Sequence, residues 1–220
     1  MSLAMMYGDE LRGFYKSRVM LVLWVGMPIL ALILHIVQPD LEGQMSLTIF
    51  ATFLVSTMSS TIAAVLLSVG IIHEKARGVY ALFLVRPVKR RSIVLGKFFA
   101  VFTCIAVAAL LTLAVGLLYD IYKGGLPAGL LLREVGKSLV TGFATISITS
   151  AAGLLIGILS PSILAGVILV IYGANQLSVL GLVPVLLKLE PAWLYSLGIG
   201  VVFSVVLLVL SVVFFNRKQF

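Results

Sequence analysis

Phe98–Tyr119 reads FFAVFTCIAVAALLTLAVGLLY, without one charged side chain. About 20 apolar residues suffice to carry a helix across the hydrocarbon of a bilayer, so this stretch predicts a membrane-spanning helix. It is continuously apolar rather than alternating, which excludes a barrel strand. Working outward, residues 19–39, 43–73, 138–187 and 191–216 also lack Asp, Glu, Lys and Arg. The run 138–187 has room for two spans and is broken at Ser160-Pro161. The prediction is an all-α integral membrane protein with six transmembrane helices, at about 19–37, 47–72, 98–119, 137–159, 162–182 and 193–215. These form one domain over 19–220, preceded by an interfacial helix in 1–18. A 61% apolar composition and a mean hydropathy of +1.21 point the same way.

Orientation follows from the cations, because translocation disfavours positive charge. With both termini in the cytoplasm, 12 Lys and Arg residues fall on inner segments and 4 on outer ones. The expected location is the cell membrane, multi-pass. The net charge of +8 is then a topological signature, with cations along anionic lipid heads, and no nucleic-acid partner is expected. Met1–Arg18 carries Asp9 and Glu10 and is not read as a signal peptide. Instead Leu3, Met6, Tyr7, Leu11, Phe14 and Tyr15 recur at helical spacing, with Asp9, Glu10, Arg12 and Lys16 opposite. An amphipathic helix lying at the headgroup level is expected there.

Two stripes recur at every fourth residue: Thr52, Ser56, Ser60, Ala64 and Ser68, and Thr141, Thr145, Thr149, Gly153 and Gly157. Small residues let helices approach closely in lipid, and hydroxyls add modest bonds between them. Tight packing within the chain, a pathway lining and a subunit contact all remain open. Ser162, Gly166, Ala174 and Ser178 form a weaker stripe beside Asn175 and Gln176, the most polar pair in any expected span. An amide in lipid is costly without a partner. The alternatives are a bond across a dimer seam, contact with substrate, or a neighbouring helix. Ser56, Ser60, Ser68, Gly166, Asn175, Gln176 and Ser178 are therefore the candidates for a pathway or seam.

Little here could build an enzyme. His35 and His73 fall on opposite sides of the bilayer, and Cys104 is the single cysteine. No acid lies mid-span, and no G-x-x-x-x-G-K-[ST] motif occurs to bind ATP. No cofactor and no metal is expected on this chain.

The one long polar insert between spans is His73–Lys97, HEKARGVYALFLVRPVKRRSIVLGK, holding seven of the sixteen cations. Glu74–Val85 reads as a helix continuing span two, with Glu74 three residues before Arg77 and an apolar patch of Val79, Leu82 and Phe83. Arg86-Pro87 ends it, since the residue before proline is pushed out of the helical region. Ser92 is placed to cap the next helix, and Lys97 is expected to snorkel at the membrane boundary. A short helix held between two spans can pass force to both.

Glu74, Gly78 and Leu82 at fourfold spacing, then Pro87-Val88 and Arg90, then Leu95-Gly96-Lys97, resemble the loop after the second span of ABC-2 type transporter permeases. Glu10-Leu11-Arg12 and Lys16-Ser17-Arg18 resemble that family's opening interfacial helix, and the likeness extends over essentially the whole chain. It is greatest to small permeases with brief outer loops, of the sort that includes the one accompanying nitrous oxide reductase maturation. The segment between spans five and six is short for that family's outer re-entrant helix pair. The resemblance implies the membrane subunit of an exporter, paired with a second permease copy, identical or not. Each copy would engage a separate ABC ATPase that holds ATP and magnesium. It places Glu74, Arg77, Gly78, Leu82, Phe83 and Pro87 in or beside the coupling helix. It also turns the opening helix, with Glu10, Leu11, Arg12 and Phe14, toward the same partner. The competing reading is a non-transporting membrane anchor that docks cytoplasmic proteins.

Overall fold

The computed structural model describes residues 3–37, 47–78, 90–122, 128–187 and 189–217. These residues form helices and turns, with no strand among them. In chain order the helices are α1 (Leu3–Tyr15), α2 (Arg18–Val37), α3 (Leu47–Ala76), α4 (Arg90–Tyr122) and α5 (Ala128–Leu159). Then come α6 (Ile163–Leu169), a π-helical turn (Val170–Ala174), α7 (Asn175–Leu186) and α8 (Ala192–Arg217). Among the described residues five spans are long and apolar enough to cross a membrane: within α3, within α4, within α5, along Ile163–Leu186 and in α8. A sixth counts when α1 and α2, bent by 68° at their junction, are taken as one broken span. The protein is an all-α membrane protein with five to six candidate spans among the described residues.

The sharp turn at Lys16-Ser17 has a local cause. Ser17 N–H donates to the Phe14 carbonyl at 2.9 Å, and its hydroxyl accepts from Val19 N–H at 3.3 Å. That closes one helix and opens the next. Farther along, α4 begins at Arg90, so Ser92, expected to cap this helix, lies inside its first turn and is buried.

In lipid there is no hydrophobic drive to bring helices together, so close van der Waals packing does that work. α5 is the central helix: 72% of its membrane-length window is buried, against 17% for Ile163–Leu186 and for α8. It meets α3 along the small-residue stripes. A Cβ on Gly142 would lie 3.2 Å from Ser56 Cβ, one on Gly153 would lie 2.5 Å from Ala64 Cα, and one on Gly157 would lie 2.9 Å from Ser68 Cα. These pairings advance in the same direction along both helices, so α3 and α5 run parallel. On another face, Gly200 of α8 sits where a Cβ would come 2.6 Å from Ala144 Cβ.

The threonine hydroxyls of the α5 stripe turn back onto their own helix. Thr141 donates to the Lys137 carbonyl at 3.1 Å, Thr145 to Gly142 at 2.7 Å and Thr149 to Thr145 at 3.0 Å. With their bonding met locally, these threonines act in packing, which is one of the alternatives the stripe left open.

Candidate functional site

The last turn of α3 holds Glu74 and Lys75, and these two neighbours grip different parts of the bundle. Glu74 Oε1 lies 2.5 Å from Lys97 Nζ. The same ammonium donates to Glu10 Oε1 at 2.6 Å. One cation thus ties the end of α3, the beginning of α4 and the middle of α1. On the other side, Lys75 Nζ donates to the Ser160 carbonyl at 3.3 Å, at the break between α5 and α6.

Lys97 was expected to snorkel, and the structure corrects that. It is only 6% exposed. Its ammonium faces Glu10 of α1 and Glu74 of α3 rather than open headgroups. A buried ammonium without carboxylates would be strongly unfavourable, and here two carboxylates meet it. The cluster carries one positive and two negative charges. Glu74 Oε2 is buried and has no hydrogen-bond partner among the described residues.

Glu10 is a second correction. It was placed on the polar face of α1, yet it points inward with Met6, which is 4% exposed, and half-buried Tyr7 and Phe14. Two further contacts draw α1 onto α4. A Cβ on Gly96 would lie 3.3 Å from Met6 Cβ, so a larger residue beside Lys97 would push α1 away. Tyr7 Oη donates to Thr103 Oγ1 at 3.1 Å. Helix α2 follows suit, since Trp24 Nε1 donates to the Cys104 carbonyl at 3.0 Å. Of the other α1 candidates, Leu11 is half-buried and Arg12 is exposed. An open groove of about 380 Å³ runs along α1, lined by Met6, Asp9, Glu10, Gly13, Phe14 and Ser17.

Beyond Lys75 the helix stops. Arg77 N–H donates to the His73 carbonyl at 3.1 Å and Gly78 N–H to the Lys75 carbonyl at 3.2 Å. Gly78 has φ +65°, the left-handed conformation that closes helix C-termini and suits glycine. The continuous helix expected over Glu74–Val85 is therefore interrupted at Arg77-Gly78. Glu74 pairs with Lys97, while Arg77 is exposed. Leu82, Phe83 and Pro87 lie outside the described residues.

The candidates for a pathway or seam divide into two groups. Ser60 and Ser68 are buried at 1% and 0%, inside the bundle against α5, and Ser60 donates to the Thr57 carbonyl. Ser56 faces Gly142, and Gly166 is packed against Ile72 and Ser68. By contrast, Asn175 and Gln176 are exposed, where the π turn gives way to α7. Thr61 Oγ1 donates to Asn175 Oδ1 at 3.3 Å, and Ser178, half-buried, donates to the Asn175 carbonyl at 2.6 Å. A neighbouring helix therefore meets part of the Asn175 side chain's bonding, while the amide still lies on the outside of the bundle.

Sequence reasoning missed the Lys97 cluster. A signal was present: on the expected inner side only Asp9, Glu10 and Glu74 are acidic, so a buried Lys97 had three possible partners. Among the described residues, no group of three His, Cys, Asp or Glu side chains is placed to hold a metal ion.

Compared with known proteins, residues 15–176 match the family model described as ABC-2 family transporter protein. No curated protein matches the chain. The matched region runs from the end of α1 through α2 to α6 and into the first turn of α7, well over half of the sequence, and so the chain belongs to the ABC-2 transporter family.

Proposed function

We propose that this transporter membrane subunit moves its substrate outward across the cell membrane, driven by ATP hydrolysis on a separate ABC ATPase. The chain has no P-loop motif of its own, so the energy must enter through a contact. The observation that carries the reading is the last turn of α3, where Glu74 and Lys75 hold α1, α4 and the α5–α6 break at once. A push on that turn reaches most of the bundle. In this reading both termini and that turn face the cytoplasm. The ATPase seats on Arg77, Gly78 and the following segment with Leu82, Phe83 and Pro87, and it touches α1 along the groove that contains Asp9 and Glu10. A second permease copy completes the complex, and exposed Asn175 and Gln176 support a covered surface there.

The test is purification from native membranes in mild detergent, followed by assay with ATP and magnesium. An ABC ATPase should co-purify, and its vanadate-sensitive hydrolysis should rise several-fold when the permease is in the complex. Glu74→Arg should leave membrane insertion intact and remove that stimulation. An intact complex with unstimulated ATPase would instead favour a docking scaffold. Failure to retain any ABC ATPase would overturn the proposal.

A further inference from the structure

Helix α6 runs through the π turn into α7 as one span, and its exposed face carries Asn175 and Gln176. Among the described residues α3 is tied to this helix by Thr61, which donates to Asn175 Oδ1 at 3.3 Å, and, at the helix start, by Lys75. Lys75, half-buried, donates to the Ser160 carbonyl at 3.3 Å. Ser160 is 2% exposed, closes α5 by donating its own N–H to the Ile156 carbonyl at 2.8 Å, and precedes Pro161. A cation at a helix C-terminus meets unpaired carbonyls and the negative end of the dipole. Two residues later Ser162 caps α6, its hydroxyl accepting from Ala165 N–H at 3.3 Å. One turn on, Gly166 leaves room for Ile72 and Ser68 of α3, a Cβ there coming 3.0 Å from Ser68 Oγ. The start of α6 is thus held to α3 by a charged bond and by close packing. Above it the π turn Val170–Ala174 departs from α-helical bonding, a local irregularity frequent at functional sites.

We infer that Lys75 is a positioning residue that makes the start of α6 follow the end of α3, so that the stroke received beside Glu74 also moves the π turn and α7. Glu74 and Lys97 drive α1 and α4, and Lys75 drives α6. The inference rests on the ATP-driven reading above, and its test separates the two.

Spin labels at Tyr172→Cys on the π turn and Tyr122→Cys at the end of α4, in a Cys104→Ala background, report α6–α7 against α4. Tyr172 and Tyr122 are 74% and 90% exposed. Labelled chain is diluted with unlabelled chain and purified with its ATPase, and distances are compared without nucleotide and after trapping with ATP and vanadate. The unsubstituted background should show a shift of about 2 Å, the scale of helix movements in switching proteins. Lys75→Met should retain the ATPase and lose the shift, and Lys75→Arg should restore it. Lys75→Gln, too short to reach the carbonyl, should behave as Met. A shift that persists in Lys75→Met and Lys75→Gln, or no shift in an unsubstituted complex that retains its ATPase, would overturn the inference alone. If no ABC ATPase is retained, the ATP-driven reading fails and takes the inference with it.

Discussion

Lys97 is a full charge at 6% exposure, held by two carboxylates whose side chains remain 20% and 26% exposed. Removing one partner of a buried ion pair leaves an uncompensated charge and costs about 3–5 kcal/mol. The partial exposure of Glu10 and Glu74 puts Lys97→Met near the lower end, at about 3 kcal/mol, measured by denaturant titration in mixed micelles. The triple change Lys97→Met, Glu10→Gln, Glu74→Gln should recover much of that loss, because it removes the stranded charges together. A triple variant as unstable as the single one would show that side-chain packing, not charge, dominates at this junction. The sequence held every member of the cluster. It could not show that Glu10 turns inward, because a single residue on a short amphipathic helix is assigned to a face only by what packs against it.

At the scale of elements, the α3–α5 contact sets how the bundle is built. Its stripes were visible in the sequence as small residues at every fourth position, but their partners were not, since packing, pathway and seam share one signature. Burial and the back-bonded threonines separate them. Gly153 is the tightest point, where an added methyl would meet the Ala64 backbone. Gly153→Val should destabilise the fold by about 1–3 kcal/mol through overpacking and separate α3 from α5. Gly198 on α8 is exposed and has nothing within 4 Å of an added Cβ, so Gly198→Ala should be neutral or gain about 0.5–1 kcal/mol. Equal unfolding midpoints for the two variants would count against helix packing as the source of stability. The expected continuation of α3 through Val85 failed at Gly78, where one left-handed glycine outweighed helical periodicity on either side.

For the whole molecule, an exposed amide at Asn175 and Gln176 is expensive against lipid. Under the proposed dimer that surface meets the second copy. In a Cys104→Ala background, which leaves no other cysteine, Asn175→Cys should form a disulfide-linked dimer on mild oxidation in membranes. Val202→Cys, on the 60% exposed outer face of α8, should stay monomeric. The reverse pattern would place the seam on α8.

The helical, membrane-spanning class of this protein was determined by sequence alone. A bilayer selects on a one-dimensional property, a run of about 20 residues without charge, and such runs can be read without knowing any contact. Only the tertiary structure decided which carboxylates meet Lys97, that Lys75 reaches the α5–α6 break, and that the serines of α3 face α5. Those choices depend on the rotation and register of each helix against its neighbours. Close approach at Gly96, Gly153 and Gly157 sets that rotation, and hydropathy along the chain does not encode it.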